Sequence, residues 1–288
     1  MRLRRLSASF VSLVVVGLAA SEQPAPRRIV SLVPAVTEML YAIGAADQVA
    51  GVSSYDQFPP EVVSKPRVGA LLDPDFERIL KLKPDLVIAY GTQTDLLARL
   101  ARAGVPVFTS RHAGLADVAS EIRAVGRRVG RPERAEQVAS RIERDLEDIA
   151  RRVAGRPRPR TALIFGREPG SLRGIYASAG VGFMHDMLAV AGGTDVFGDV
   201  PRENLQVATE VLLARAPDVI LEVHPSQGWT PARLASERNL WNALSSIPAV
   251  KSGRVYLLTD DRLSVPGPRV AEAVRLVART LHPGAFEK

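Results

Sequence analysis

A chain of 288 residues is long enough for two domains of ordinary size, and the complete absence of cysteine excludes disulfide bonds and a cysteine nucleophile. With 46% hydrophobic, 24% charged and only 5% aromatic residues, the composition indicates a soluble globular protein with an aliphatic core. The formal net charge is +7, but the basic residues are mostly arginines spread along predicted helices. Nucleic-acid-binding surfaces need clustered basic residues, so we expect no nucleic-acid partner.

Residues 1–21 predict a secretory signal peptide. Arg2, Arg4 and Arg5 make a basic start, and an almost uninterrupted apolar or small stretch follows over residues 8–20. Small residues at positions 19–21 offer a cleavage site, and the apolar stretch is shorter than the about 20 residues that a transmembrane helix needs. Because no cysteine is present to carry a lipid anchor, we expect a soluble periplasmic protein rather than a lipoprotein.

Strands alternate with helices in the first part of the chain, after a proline-containing lead-in. The predicted strands are Ile29–Val33, Val49–Ser53, Leu86–Tyr90 and Val105–Thr109. The predicted helices between them are Ala35–Ile43, Asp75–Leu82 and Thr94–Ala103. This alternation predicts a mostly parallel sheet, and we assign residues 28–130 to an N-terminal α/β lobe.

One long helix is predicted from Pro132 to about Ala154, within a linking segment of residues 131–156. Pro132 fits a helix start and Gly155 fits its stop. Its narrow apolar stripe consists of Val138, Ile142, Ile149 and Val153, with Leu146 adjoining. A stiff helix here would hold two lobes at a fixed separation; the alternative is an ordinary surface helix of one larger domain.

Residues 157–288 form the predicted C-terminal α/β lobe. Its predicted strands are Thr161–Phe165, Val219–Val223 and Val255–Leu258, and its terminal helix runs from about Pro268 to Leu281. The two lobes carry a repeated pattern: Glu77–Ile88 reads ERILKLKPDLVI and Glu210–Leu221 reads EVLLARAPDVIL. Each copy predicts a helix that ends at a proline and a buried strand that follows it. The repeat therefore places Glu77 and Glu210 at equivalent positions of the two lobes.

Three stretches resemble the periplasmic iron-complex and cobalamin binding proteins of ABC importers, and most of all the cobalamin-binding members. They are Arg28–Glu61, Val68–Tyr90 and Met187–Ile220. The resemblance implies two α/β lobes joined by a single long helix, with a ligand cleft between them. It also implies that the protein captures cobalamin or a related corrinoid and delivers it to the membrane permease. A haem or ferric-siderophore carrier is the alternative within the family.

The resemblance assigns roles to the paired glutamates and to one loop. In this family one glutamate on each lobe contacts arginines of the two membrane subunits, and these glutamates match Glu77 and Glu210. Haem-binding relatives often carry a tyrosine after the Val-Gly that matches Val68–Gly69, where this chain has Ala70 and then Leu71. Cobalamin-binding relatives commonly have an aromatic residue near Leu71, so its position is a candidate contact whose residue type departs from the family.

Ligands of α/β units bind beyond the carboxyl ends of the strands, which selects the candidate cleft residues. Tyr55 and Tyr90 suit stacking on a flat macrocycle, and Trp229 suits the rim. Arg262 and Arg269 could meet amides or carboxylates. Each of these side chains has an ordinary packing or solvated role as its alternative. The full set of candidate ligand-binding residues is Pro34, Tyr55, Leu71, Tyr90, Gly166, His224, Trp229, Arg262 and Arg269.

The sequence offers little for a resident metal or for catalysis. The four histidines, His112, His185, His224 and His282, show no ligand spacing, so we predict no metal site and no cofactor. No G-x-S-x-G motif surrounds any serine, and no dinucleotide-binding loop is present. We therefore expect a binding protein that is monomeric when free, with an exported α/β enzyme as the alternative of another class.

Overall fold

The computed structural model describes residues 24–111 and 114–287. The predicted signal peptide and His112 lie outside the described residues. The first part of the chain folds into β1 (Ile29–Ser31), α1 (Pro34–Ala42), β2 (Val49–Val52), α2 (Phe76–Lys81), β3 (Leu86–Tyr90), α3 (Thr94–Arg102), β4 (Val107–Ser110) and α4 (Asp117–Arg128). The helix α5 (Pro132–Val153) follows. Among the described residues, no helix combines the length and apolar character needed to cross a membrane.

The last part of the chain builds a second α/β unit. Its elements are β5 (Arg160–Gly166), β6 (Ile175–Ser178), α6 (Phe183–Val190), β7 (Thr194–Asp195), β8 (Asn204–Val207), α7 (Thr209–Arg215), β9 (Val219–His224), α8 (Pro231–Asn239), α9 (Pro248–Lys251), β10 (Val255–Thr259) and α10 (Val270–Leu281). The predicted class, two α/β lobes joined by a long helix, is confirmed.

The first sheet has the strand order β2-β1-β3-β4, and all of its pairs are parallel, as predicted. The second sheet has the order β10-β9-β5-β6-β8, with β7 paired to β5. This second sheet is mixed, because β6 runs antiparallel to both β5 and β8. The connection between β5 and β6 is too short for a helical crossover, so the chain can only turn back on itself.

Helix α5 spans 22 residues, about 33 Å at 1.5 Å per residue, and packs on both lobes. Its predicted stripe faces inward: Ile142, Ile149 and Val153 are buried, and Val138 and Leu146 are partly buried. Residues of α1, α4, α5, α6 and α10 join one hydrophobic core that also includes strand residues of both sheets. The helix is therefore neither an isolated linker nor a simple surface helix, because its apolar face is part of a core that both lobes share.

The repeated pattern folds into the same local structure twice. Glu77 and Glu210 are each the second residue of their helix, α2 and α7. Each helix is followed by a residue with left-handed backbone, Lys83 at φ 47° or Ala216 at φ 46°, directly before the repeated proline.

The aspartate after each proline also has one role in both copies. Asp85 accepts a hydrogen bond from the backbone N–H of Arg28 at 2.9 Å, next to the first strand of the first lobe. Asp218 accepts one from the backbone N–H of Arg160 at 3.0 Å, at the first strand of the second lobe. The two lobes thus contain one helix–turn–strand module in equivalent places.

Candidate ligand cleft

The first wall of the cleft is formed by the ends of β2 and β3. Tyr55, in the loop after β2, is 69% exposed and presents its ring to solvent. Tyr90 is the last residue of β3 and is only partly exposed. Burial, together with the negative charges of Asp56 and Glu121, raises the pKa of Tyr90 to about 12, so its hydroxyl stays protonated at neutral pH. Both tyrosines therefore offer an aromatic ring, and Tyr90 adds a neutral hydroxyl.

The loop that carries Tyr55 contains a buried acid, Asp56, which is 2% exposed. Neither of its carboxyl oxygens accepts a hydrogen bond within the described residues. Burial raises the pKa of this carboxyl from 3.8 to about 7, against smaller opposing contributions from Thr37, Ser53 and Arg67. Arg67 Nη1 donates to the carbonyl oxygens of Ser53 and Asp56, which fixes the loop backbone.

Leu71 is connected to the end of β3 through Gln93, a residue that sequence reasoning missed. Gln93 Oε1 accepts from the backbone N–H of Tyr90 at 3.0 Å, and Gln93 Nε2 donates to the carbonyl of Leu71 at 3.0 Å. Leu71 is 40% exposed and its neighbour Leu72 is 93% exposed. The loop after Gly69 is therefore held against the cleft wall with its apolar side chains open to solvent.

The second wall of the cleft contains a buried ionic network around Glu222, in the interior of β9. Its side chain is completely buried, and its Oε1 lies 2.7 Å from Arg167 Nε and 2.8 Å from His224 Nε2. Neither of these two contacts has hydrogen-bond geometry, whereas Trp241 Nε1 donates to Glu222 Oε2 at 2.8 Å. Burial opposes ionisation of Glu222, yet His224, Trp241 and Arg167 outweigh it and hold its pKa below the usual range.

The network reaches outward from the core to the rim. Arg167, directly after Gly166, also contacts Glu237 Oε2 at 2.8 Å. The ring of His224 lies 4.2 Å from that of Trp229, centroid to centroid, and Arg233 lies over the Trp229 ring at 4.3 Å. The structure thus brings the predicted residues Gly166, His224 and Trp229 into one wall. The available signal for Glu222 was a charged residue inside the otherwise apolar run VILEV.

The two predicted arginines are engaged by carboxylates. Arg262 pairs with Asp260 on the preceding loop and with Glu272 of α10, whose Oε2 lies 2.6 Å from its Nη1. Arg269 makes a two-pronged pair with Glu38 of α1, Nε to Oε2 at 2.8 Å and Nη2 to Oε1 at 2.5 Å. Pro34 begins the same helix α1. These contacts leave only the remaining guanidinium donors of the two arginines open to a ligand.

Several contacts join the lobes across the cleft. Arg269 also lies over the ring of Phe58 at 3.9 Å, and Gln227 Nε2 donates to Gln57 Oε1 at 3.1 Å. Elsewhere the backbone N–H of Leu115 donates to Asp186 Oδ2 of α6 at 2.9 Å. Because Gln57 and Phe58 adjoin Tyr55, the loop that carries a candidate ligand contact is also the loop that contacts the second lobe.

Glu77 and Glu210 lie outside these contacts, on exposed helix starts. The side chain of Glu77 is 84% exposed and lies 3.8 Å from Arg99 Nη2, a surface pair of small energetic weight. Glu210 is exposed and accepts a hydrogen bond from its neighbour Thr209 at 3.3 Å. Their symmetric placement follows from the repeated module, and their role stays a prediction.

The described residues contain no group of three or more His, Asp or Glu side chains that could hold a metal ion. His185 lies on α6, with its Nδ1 3.5 Å from Asp195 Oδ2. His282 is buried directly after the end of α10. Of the three described histidines, His224 alone lies at the carboxyl end of a parallel strand that faces the cleft.

Comparison with known proteins agrees with this architecture. A family model described as periplasmic binding protein matches residues 29–262. The chain is 29% identical over 280 residues to the vitamin B12-binding protein of Vibrio cholerae, which covers 96% of each chain. The crystal structure of the periplasmic vitamin B12 binding protein BtuF of Vibrio cholerae superposes with a TM-score of 0.78 at 28% identity, covering 92% of this chain and all of that one.

A second structural neighbour binds a different ligand. The periplasmic haem-binding protein RhuT from Roseiflexus sp. RS-1 superposes with a TM-score of 0.75 at 28% identity, covering 90% of this chain and 99% of that one. The family predicted from the three sequence stretches is therefore confirmed. From its sequence and its two-lobed fold alike, the chain belongs to the periplasmic binding protein family, whose members include substrate-binding proteins of ABC transporters.

Proposed function

We propose that this protein captures cobalamin or a related corrinoid in the cleft between its lobes and delivers it to the membrane subunits of an ABC importer. The observation that carries the proposal is the near full-length similarity, in sequence and in fold, to the vitamin B12-binding protein of Vibrio cholerae. The cleft supports it with the exposed ring of Tyr55, the neutral hydroxyl of Tyr90 and the ring of Trp229. Such rings suit the flat face of a macrocycle.

A haem or ferric-siderophore ligand is the alternative within the family, favoured by the similarity to the haem-binding protein RhuT. Against haem, the position after Gly69 carries Ala70, 2% exposed, where haem-binding relatives often carry a tyrosine. We also propose that the protein acts by binding alone. An exported α/β enzyme is the alternative of another class, and chemical change of the bound ligand on incubation would establish it.

The ligand is tested by incubating the purified protein with cobalamin, cobinamide, haem or a ferric hydroxamate. Each mixture is desalted, and the absorbance retained with the protein is measured. We expect stoichiometric retention of cobalamin or cobinamide. Retention of haem or the hydroxamate alone would replace the corrinoid assignment and keep the carrier function, whereas retention of none of the four would remove the metal-chelate ligand altogether.

For delivery, we propose that Glu77 and Glu210 are symmetric contacts to the permease, one on each lobe. The repeated module supports this, because it sets both carboxylates at the second position of a short exposed helix. Charge pairs at an interface contribute mainly to orientation and association rate, which suits a carrier that must dock and leave. We further propose export through the first 21 residues, release without a lipid anchor, and a monomeric free state.

A further inference from the structure

The carboxyl group of Asp56 is buried without a compensating contact. The residue is 2% exposed, and neither carboxyl oxygen accepts a hydrogen bond from residues 24–111 or 114–287. The Thr37 hydroxyl beside it donates to Ser31 Oγ at 2.8 Å. Arg67 Nη1 donates to the backbone carbonyls of Ser53 and Asp56 and not to the carboxyl group. A buried carboxylate without partners is strongly unfavourable, so this environment favours the neutral form.

The ionisable groups that face Asp56 do not compensate a negative charge there. Three of them are acids, namely Glu38 and Tyr41 of α1 and Tyr90 of β3. Ionisation of any of these acids opposes ionisation of Asp56. Arg67 is the cation that faces the carboxyl group, and its attraction is weaker than the effect of burial. Burial and the charge of Glu38 together raise the pKa of Asp56 to about 7.

Asp56 stands between two functional parts of one loop, the cleft loop, which comprises residues 53–59. Tyr55, directly before it, is 69% exposed and is a candidate ligand contact. Gln57, directly after it, accepts a hydrogen bond from Gln227 Nε2 of the second lobe at 3.1 Å. The position of this one carboxyl group therefore affects both the candidate ligand contact and a contact between the lobes.

Ionisation of Asp56 would place an unpaired charge in the interior, and moving the carboxylate into water would relieve it. The hydrogen bonds that hold the cleft loop to the first lobe include the one from the Ser54 N–H to the Gly69 carbonyl at 2.8 Å and those from Arg67. Because Tyr55 and Gln57 are covalent neighbours of Asp56, movement of the carboxylate displaces both. The hydrophobic core that the lobes share contains no residue of the cleft loop, so the lobes stay packed while the loop moves.

We propose that Asp56 is the positioning residue of the cleft loop, and that the loop keeps its ligand-binding position only while this carboxyl group is neutral. The inference rests on the proposed function and adds to it a dependence of ligand retention on pH. Because burial raises the pKa of Asp56 to about 7 when the loop is in place, the stabilisation of the loop is complete below about pH 4 and is lost as the pH rises through about 7. Ligand should therefore be held more tightly in mild acid than at pH 8.

The first measurement uses the ligand-free protein. Amide hydrogen exchange of the cleft loop is followed at pH 5 and pH 8 and expressed as protection factors, which remove the intrinsic pH dependence of exchange. In the wild type these factors should fall at least about tenfold from pH 5 to pH 8, whereas Asp56→Asn should keep them equal within about twofold. Asp47→Asn removes an exposed carboxylate of the same lobe and should behave like the wild type. Asp56→Ser, which cannot ionise either, is the second variant in case Asp56→Asn does not fold.

The second measurement is the Kd of cyanocobalamin at the same two pH values. It should rise at least about threefold from pH 5 to pH 8 in the wild type and stay within about twofold in Asp56→Asn, because only the fraction with the loop in place binds tightly. Unchanged wild-type protection, or a loss that Asp56→Asn shares, overturns the inference, as does pH-independent binding by the wild type. If no corrinoid binds, the proposed function fails, while the protection factors still support or overturn the positioning of the loop by Asp56.

Discussion

Asp56 is the residue whose ionisation should matter most for this protein. It is buried without a hydrogen-bond partner for its carboxyl oxygens among the described residues, and its neighbours on all sides include Glu38 and Tyr41 of α1, Tyr90 of β3 and Arg67. Its pKa is about 7 in the folded protein, against an ordinary value of 3.8. The folded state therefore holds a proton that the unfolded chain releases.

We expect Asp56→Asn to flatten the pH dependence of stability. Because the folded pKa is raised, the stabilisation by this carboxyl is complete below about pH 4 and is lost as the pH rises through 7. The free energy of unfolding of wild type relative to Asp56→Asn should thus fall by on the order of 4 kcal/mol between pH 4 and pH 8. Urea unfolding across this range measures the difference. The exposed Asp47→Asn is the control, and parallel profiles for wild type and Asp56→Asn would refute the assignment.

The sequence placed three candidate residues correctly at strand ends, although their contact with ligand stays a prediction. Tyr55, Tyr90 and His224 could be selected because side chains at the carboxyl ends of parallel strands share one edge of the sheet. Arg167, Glu38 and Gln93 were missed because their roles depend on partners 55, 231 and 22 residues away in the sequence. No local sequence pattern shows which arginine pairs with which carboxylate. Arg269 was therefore predicted at the cleft, but its pairing with Glu38 was not.

At the level of elements, α4 and α5 pack unusually closely. A Cβ atom added at Gly126 of α4 would lie 2.2 Å from the Cβ of Ala135 of α5 and 3.1 Å from the carbonyl oxygen of Arg131. The glycine thus has a packing role, which explains why a weak helix former occupies a helix interior. The sequence left α4 unpredicted, although Val118, Ile122 and Val125 have helical spacing.

Gly126→Ala should lower the free energy of unfolding by about 1–3 kcal/mol, because the helices must separate to admit the methyl group. Adding Ala135→Gly should recover part of this loss, so that the two changes are non-additive in a double-mutant cycle. Gly284→Ala is the control, since nothing lies within 4 Å of the added Cβ atom there. Urea denaturation gives each value, and an additive cycle would contradict a direct Gly126–Ala135 contact.

For the whole molecule, the shared core predicts small movement on ligand binding. Helix α5, the Glu38–Arg269 pair and the Gln57–Gln227 contact all join the lobes. Hinge closure would have to break these contacts or bend a 22-residue helix. Small-angle scattering should show the same radius of gyration with and without ligand. A clear decrease on loading would contradict this rigidity.

The symmetric docking proposal predicts a defect in transport alone. Glu77→Arg and Glu210→Arg should each leave ligand binding unchanged and alter stability by no more than about 0.5 kcal/mol, because both side chains are exposed. Uptake in cells should fall, since arginine would face arginine on the permease. The double variant should be at least as defective as either single one. Glu133→Arg makes the same charge change at the start of α5 and should not affect uptake.

Two results would count against symmetric docking. Normal uptake by the double variant would remove both glutamates from the interface. Loss of ligand binding in either single variant would move that glutamate into the cleft, and the equivalence of the two lobes in docking would fall with it.

The measurement that tests the central claim most directly is calorimetric titration of the purified protein with cobalamin and, separately, with haem. Corrinoid capture predicts one cobalamin per protein with a Kd in the micromolar range or tighter, a binding free energy of about −8 kcal/mol or stronger. Tight binding of haem without any binding of a corrinoid would contradict it.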